Sequence, residues 1–168
     1  PNLPLMLIPS IAIALFTRQM KDQGYQVELF ETTYYYSDQK SSSQLRVDLL
    51  QARSFNFTEN IGITMKTDMV GDFRDKVESF QPDFMIFSVV EDAFFQTINL
   101  LKSVEELKIP HLVGGVFPTN AAERCLEFPE INLVGRGEGE TTVVAVAEAI
   151  REGRSLHNIP GTYFRDED

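Results

Sequence analysis

The chain has 168 residues, 43% of them hydrophobic and 24% charged, a balance expected of one soluble globular domain. Its formal net charge of −10 excludes a nucleic-acid partner, since a phosphate-binding surface needs clustered Lys and Arg and no basic run with interleaved aromatics occurs. The single cysteine, Cys125, excludes an internal disulfide framework and a cysteine-ligated zinc or iron–sulfur centre within the chain, and it suits a reducing, cytoplasmic compartment.

The opening stretch "LPLMLIPSIAIALF" is apolar but broken by Pro4 and Pro9. It falls short of the roughly 20 residues of a membrane span, and it lacks the basic flank and cleavage pattern of a signal peptide. No membrane partner is expected. From Ile8 onward, Ile8, Ile11, Ala12 and Leu15 follow helical spacing, with Phe16 and Met20 widening the stripe and Gly24 closing the helix. Tyr25 to Glu31 reads as a short strand. Residues 37–66 form a polar, serine-rich insertion or lid in which Leu45, Leu49 and Leu50 make one helical face.

Val70, Phe73, Val77 and Phe80 mark one face of a further helix that ends at Pro82. "DFMIFSVV" follows, and its continuous hydrophobicity predicts a strand buried on both faces, as in a parallel sheet. A helix is expected over 92–108, with Phe94, Ile98 and Leu101 inward. After it come a strand in "IPHLVGG", a short helix in "TNAAERCLEF", a strand in "INLVG", a helix from Thr141 to Glu152 and an edge strand in "GTYFR". The alternation predicts an α/β fold: a doubly wound, mainly parallel sheet, Rossmann-like, with helices on both faces. Because the visible pattern begins with a helix, a first strand is expected ahead of Pro1.

In such folds ligands bind at the carboxyl ends of the strands. Four loops fall there: "ETTYYY", "SVVEDAF", "GGVFPTN" and "GRGEGETT". The last does not match a nucleotide-phosphate loop, and two carboxylates would repel phosphate. A metal held by Glu138 and Glu140 would need further ligands such as Glu91 and Asp92. The simplest account is that both acids favour the positive start of the following helix, with Thr141 as its cap. Cys125 reads as a small core residue and His111 as structural, opposite the expected site. His157 reads as a solvent-facing loop residue.

Taken in order, "PSIAIALFTRQMKDQGYQVELFETT", "PDFMIFSVV", "IPHLVGGVFPTN", "INLVGRGEGETT" and "IPGTYFR" resemble the N-terminal cobalamin-binding domain of radical S-adenosylmethionine enzymes. The likeness covers the chain apart from residues 37–66, and its most specific pieces are the double glycine followed by Pro-Thr and the G-E-G-E turn. It implies a single cobalamin-binding domain over residues 1–168. A radical S-adenosylmethionine barrel, carrying the iron–sulfur cluster and S-adenosylmethionine, would follow Asp168. It also implies methyl transfer or cyclisation by the full enzyme, of the magnesium-protoporphyrin monomethyl ester cyclase kind, with no catalytic residue in this chain.

The implied cofactor-binding residues are Ser88, Val89, Gly114, Gly115, Val116, Arg136, Gly137, Glu138 and Gly139. Ser88 would donate to the cofactor's tail, and the glycines would make room for it. The D-x-H-x-x-G motif that supplies an axial histidine in cobalamin-dependent mutases is absent, so cobalamin is expected without a protein histidine ligand. Leu5 and Met6, or the aromatic triplet Tyr34–Tyr36, would then fill or cover the corrin space. Two other readings stay open: an interaction module of the same fold that binds no cofactor, and a receiver-like or flavodoxin-like regulator. The sequence does not speak to oligomeric state.

Overall fold

The structure, a computed structural model, describes residues 10–36, 42–54 and 56–165. Its centre is a four-stranded sheet in the order β1 (Met85–Ser88), β2 (His111–Gly114), β3 (Leu133–Gly135) and β4 (Thr162–Phe164). The first three strands are parallel, with Met85 opposite His111 and Ser88 opposite Gly114, while β4 runs antiparallel on β3.

Helices cover both faces, and the period of two along each strand decides which. Leu112 and Leu133 point into one core layer, which they share with Met20 of α1 (Ile11–Asp22) and with Val143 and Val146 of α8 (Gly139–Arg151). Val113 and Val134 point into the other layer. There they meet Phe73 and Val77 of α4 (Met69–Phe80), Phe94 and Ile98 of α5 (Phe94–Lys102) and Cys125 of α7 (Ala122–Leu126). The strands are apolar at consecutive positions because both faces are covered. Each such residue contributes about 1.5–3 kcal/mol by burial. The expected doubly wound, mainly parallel sheet is therefore the observed one.

Local chemistry explains where the helices start and stop. Asp68 accepts from Gly71 N at 2.8 Å and caps α4. Arg74 of α4 donates to Ser103 O at 2.6 Å and satisfies a carbonyl at the end of α5. The helix expected over 92–108 is accordingly shorter. A 3-10 turn, Glu91–Ala93, precedes α5, and a second, Glu105–Leu107, follows it after Val104 has turned into the core. Likewise "TNAAERCLEF" divides into α6 (Val116–Asn120) and α7, with the break at Ala121.

Three expectations need correction. Residues 25–31 join no ladder; they run alongside the core with Phe30 and Val27 packed against it. A strand exists through its partners, and among the described residues this segment has none. In α1 the buried side holds Met20, with Phe16 packed beside it, while Ile11 and Leu15 are exposed. Contact with α8 sets that rotation: a Cβ on Gly139 would stand 2.4 Å from Phe16 Cζ, so the two helices meet there. Ile8, Leu5 and Met6 lie outside the described residues. Finally, the insertion holds two short helices, α2 (Ser42–Asp48) and α3 (Phe57–Ile61), but Leu45, Leu49 and Leu50 are all exposed and form no inward face.

Candidate functional site at the carboxyl edge of the sheet

The parallel register puts the ends of β1, β2 and β3 side by side. Ser88 pairs with Gly114, and Val89 N donates to Gly114 O at 2.8 Å. Val113 pairs with Val134, which brings Gly114 next to Gly135 and the loop that follows. All nine residues expected at the site thus share one edge, on three consecutive strand–helix loops. Ser88 stands exposed at the end of β1, and Val116 is 71% exposed just beyond Gly115. With Val90, 41% exposed, it leaves apolar surface bare on this rim.

The glycines serve different purposes. Gly115 has φ +112°, and a Cβ there would lie 2.6 Å from both Val89 N and Val89 O. Its smoothness is used by the neighbouring loop, whose Val89 O also accepts from Phe117 N at 3.3 Å. Gly139 makes room for Phe16. Gly114 and Gly137 are different: a Cβ on Gly114 would meet only Gly135 O at 3.8 Å, and one on Gly137 would meet nothing within 4 Å. Among the described residues, both positions face open space.

The third loop is pinned from two sides. Gly137 N donates to Thr119 Oγ1 at 3.1 Å, which ties it to α6, the helix after β2. Arg136 N donates to Gly161 O at 2.8 Å, and its guanidinium donates to Tyr163 Oη at 2.6 Å. Arg136 is therefore held by β4 and its approach. Glu138 is the residue at the N-cap of α8 and Glu140 lies in its first turn, where negative charge favours the helix. Thr141 is not the cap; it stands within the helix, and the next residue, Thr142, is buried against Pro160 O. Thr119, Gly161 and Tyr163 lie within the quoted motif segments but are not among the expected site residues, and Phe16 reads only as part of a helical stripe, since each acts through a contact distant in sequence.

Neither histidine reaches this edge. His111 opens β2 at the opposite end, with ring nitrogens facing Ile109 O at 3.1 Å and Glu130 O at 2.8 Å. His157 is exposed and lies 4.0 Å, centroid to centroid, from Phe164, which pairs with Leu133 at the amino end of β3. Cys125 is fully buried, and burial pushes its thiol up to about 11. Of the aromatic triplet, Tyr35 is buried with its hydroxyl on Asp72 Oδ2 at 2.6 Å, while Tyr36 is exposed. Among the described residues no three His, Cys, Asp or Glu side chains gather as a metal site. No helix among them is long and apolar enough to cross a membrane.

Two cavities lie elsewhere. One of about 540 Å³ is lined by Phe30, Tyr34, Tyr35, Lys66, Asp72 and their neighbours. Another, of about 450 Å³, lies at the amino edge. Neither is lined by any of the nine residues.

A protein-family model described as the B12 binding domain matches residues 5–147. The chain belongs to the B12-binding domain family. Over 65 residues this B12-binding domain is 35% identical to the anaerobic magnesium-protoporphyrin IX monomethyl ester cyclase of Synechocystis sp., covering 36% of this chain and 13% of that protein. Its fold is also that of part of TsrM, a radical S-adenosylmethionine methyltransferase from Kitasatospora setae, with a TM-score of 0.68 at 18% identity. That match covers 95% of this chain and 26% of the other. The B12-binding domain thus spans a minor part of both larger relatives, and the family is the one its motif series resembles.

Proposed function

We propose that this B12-binding domain holds cobalamin against the carboxyl ends of β1, β2 and β3, as one part of a radical S-adenosylmethionine enzyme that performs methyl transfer or cyclisation. The barrel that binds S-adenosylmethionine and the iron–sulfur cluster would follow Asp168. Among the described residues no strand pairs with the outer edge of β1, which fits a further parallel strand from polypeptide ahead of Pro1.

The carrying observation is the juxtaposition of Ser88, Gly114 and Gly137 at one edge, where Gly114 and Gly137 face space that no atom of the described residues fills. Ser88 offers an exposed hydroxyl to a polar tail, and Val90 and Val116 offer apolar contact to a large ring. Thr119 and Tyr163 hold the third loop in place for both. When bound, cobalamin supplies a cobalt centre for group transfer or radical chemistry. Both histidines of the chain lie at or near the amino edge, which supports a cobalt without a protein histidine ligand.

Hydroxocobalamin mixed with the chain should co-elute on gel filtration with a base-off or base-free visible spectrum. Gly114→Leu should weaken binding by at least about tenfold, roughly 1.4 kcal/mol, with an unchanged melting temperature. Free corrin passing through unretained would sink the proposal. The second reading, a docking module that binds no cofactor, would then stand. It is favoured by one observation: the space beside Gly115 is taken by the Val89 backbone.

A further inference from the structure

We propose that Tyr163 of β4 is a positioning residue for the cobalamin edge, acting through Arg136, and that the Arg136 guanidinium anchors the third loop without touching the cofactor. The inference rests on the cobalamin reading above and deepens it by reassigning one of the nine expected residues. Strand order carries the first step. β4 pairs with β3, Tyr163 opposite Val134 and Thr162 opposite Gly135, so it lies on the far side of β3 from Gly114 of β2. The third loop leaves β3 at Gly135, between these two neighbours.

The loop is held differently on its two sides. On the β2 side Gly137 N donates to Thr119 Oγ1. On the β4 side Arg136 N donates to Gly161 O, and Arg136 Nη1 donates to Tyr163 Oη at 2.6 Å. Arg136 Cζ also lies 5.7 Å from the centre of the Tyr163 ring. A guanidinium set over an aromatic ring and bonded to its hydroxyl is attracted twice to the same residue. It is thereby directed toward β4, away from the space beside Gly114.

β4 is a firm support for that anchor. Thr162 N and Oγ1 both donate to Ile159 O, at 3.1 and 2.8 Å, and close the turn before the strand. Gly161 has φ +81°, and a Cβ there would stand 2.5 Å from Thr142 Oγ1, so the turn packs directly on the start of α8. Gly137, with φ +77°, has no side chain to fix its own place, and a glycine's backbone is the freest in the chain. Its position is set by Thr119 on one side and, through Arg136, by Tyr163 on the other.

The test is a double-mutant cycle of Tyr163→Phe and Arg136→Met, read by hydroxocobalamin affinity and by hydrogen exchange at the Arg136 and Gly137 amides. Tyr163→Phe keeps the ring and removes only the hydroxyl. Each single variant should weaken binding about fivefold, the scale of one hydrogen bond, and the double variant should match Arg136→Met alone. Both singles should speed exchange at Gly137 with cobalamin absent, with Thr119→Val as the positive control. A loss of affinity confined to Arg136→Met, or losses that multiply in the double variant, would overturn the inference and give the guanidinium to the cofactor. Unchanged exchange at both amides in both singles would overturn it as well. Because exchange is measured without cobalamin, failure of this inference is told apart from failure of the parent chain to retain the corrin.

Discussion

Gly115 adopts φ +112° and ψ −171°, a region of backbone space open in practice to glycine alone, and Val89 N and O each stand 2.6 Å from its absent Cβ. A methyl group there meets main chain, which cannot swing aside as a flexible side chain would. Gly115→Ala should therefore destabilise the fold by about 3 kcal/mol or more. A lower midpoint in urea unfolding with an unchanged slope would show it. Gly114→Leu, one residue away, should leave that midpoint in place. The contrast separates a glycine used by the fold from one whose free side faces open space, a distinction that the dipeptide in the sequence does not carry.

Between elements, the residue 32–36 turn and α4 are joined by a polar clasp. Tyr36 N donates to Lys66 O and Lys66 N to Tyr34 O, so the two ends of the 37–66 insertion meet at its base. Lys66 Nζ reaches Asp72 at 2.8 Å, and Tyr35 Oη reaches the same carboxylate. The hydrogen bond from Lys66, and then that from Tyr35, hold the Asp72 carboxyl below its ordinary 3.8. Asp72 first, then Tyr35, hold the Lys66 ammonium above 10.5. Burial first, then Asp72, raise the Tyr35 hydroxyl above 10.0.

The signs differ between the two ends of the pH scale. A lowered carboxyl stabilises the fold at pH above its unfolded value, and that contribution disappears as pH falls through the lowered value. The raised Tyr35 and Lys66 contribute fully below 10.0 and 10.5, and their contributions are lost as pH rises through the raised values. Melting curves of Asp72→Ala against the parent chain should thus show a constant deficit from about pH 5 to 9. The deficit should close below pH 3.8 and shrink again above 10. A deficit independent of pH would mean that the clasp acts by packing alone.

On the scale of the whole molecule, among the described residues, the sheet is bordered on one side by β4 and has no partner strand on the outer edge of β1. Met85 N donates to Pro110 O at 3.0 Å and Val89 N to Gly114 O at 2.8 Å, so alternation turns the amides of Ile86 and Ser88 to the outer edge of β1. Ile86 is 37% exposed although it lies in the middle of an apolar strand. An exposed edge of this kind invites another strand. In this chain the amides of Ile86 and Ser88 should exchange with deuterium much faster than those of Phe87 and Val89. In a longer polypeptide with a strand ahead of Pro1, all four should be protected. Slow exchange at Ile86 in the present chain would mean that the edge is already covered.

Local patterning by itself determined most of the architecture. Consecutive apolar residues such as Leu112–Val113 and Leu133–Val134 are explicable only by cover on both faces, and that requirement leads directly to a parallel sheet between helix layers. Periods of three and four placed α4, α5 and α8, and the glycines of the loops after β2 and β3 marked one edge of the sheet. Contacts between distant residues decided the rest. Whether residues 25–31 form a strand depends on a partner that their own sequence does not contain. Which side of α1 is buried depends on Gly139 admitting Phe16. Which glycine faces open space and which faces Val89 depends on how two loops approach each other. Where the Arg136 guanidinium lies depends on β4 pairing with β3. Periodicity is a property of neighbours in the chain and is legible there, whereas unfilled space and side-chain partners are properties of neighbours in the fold.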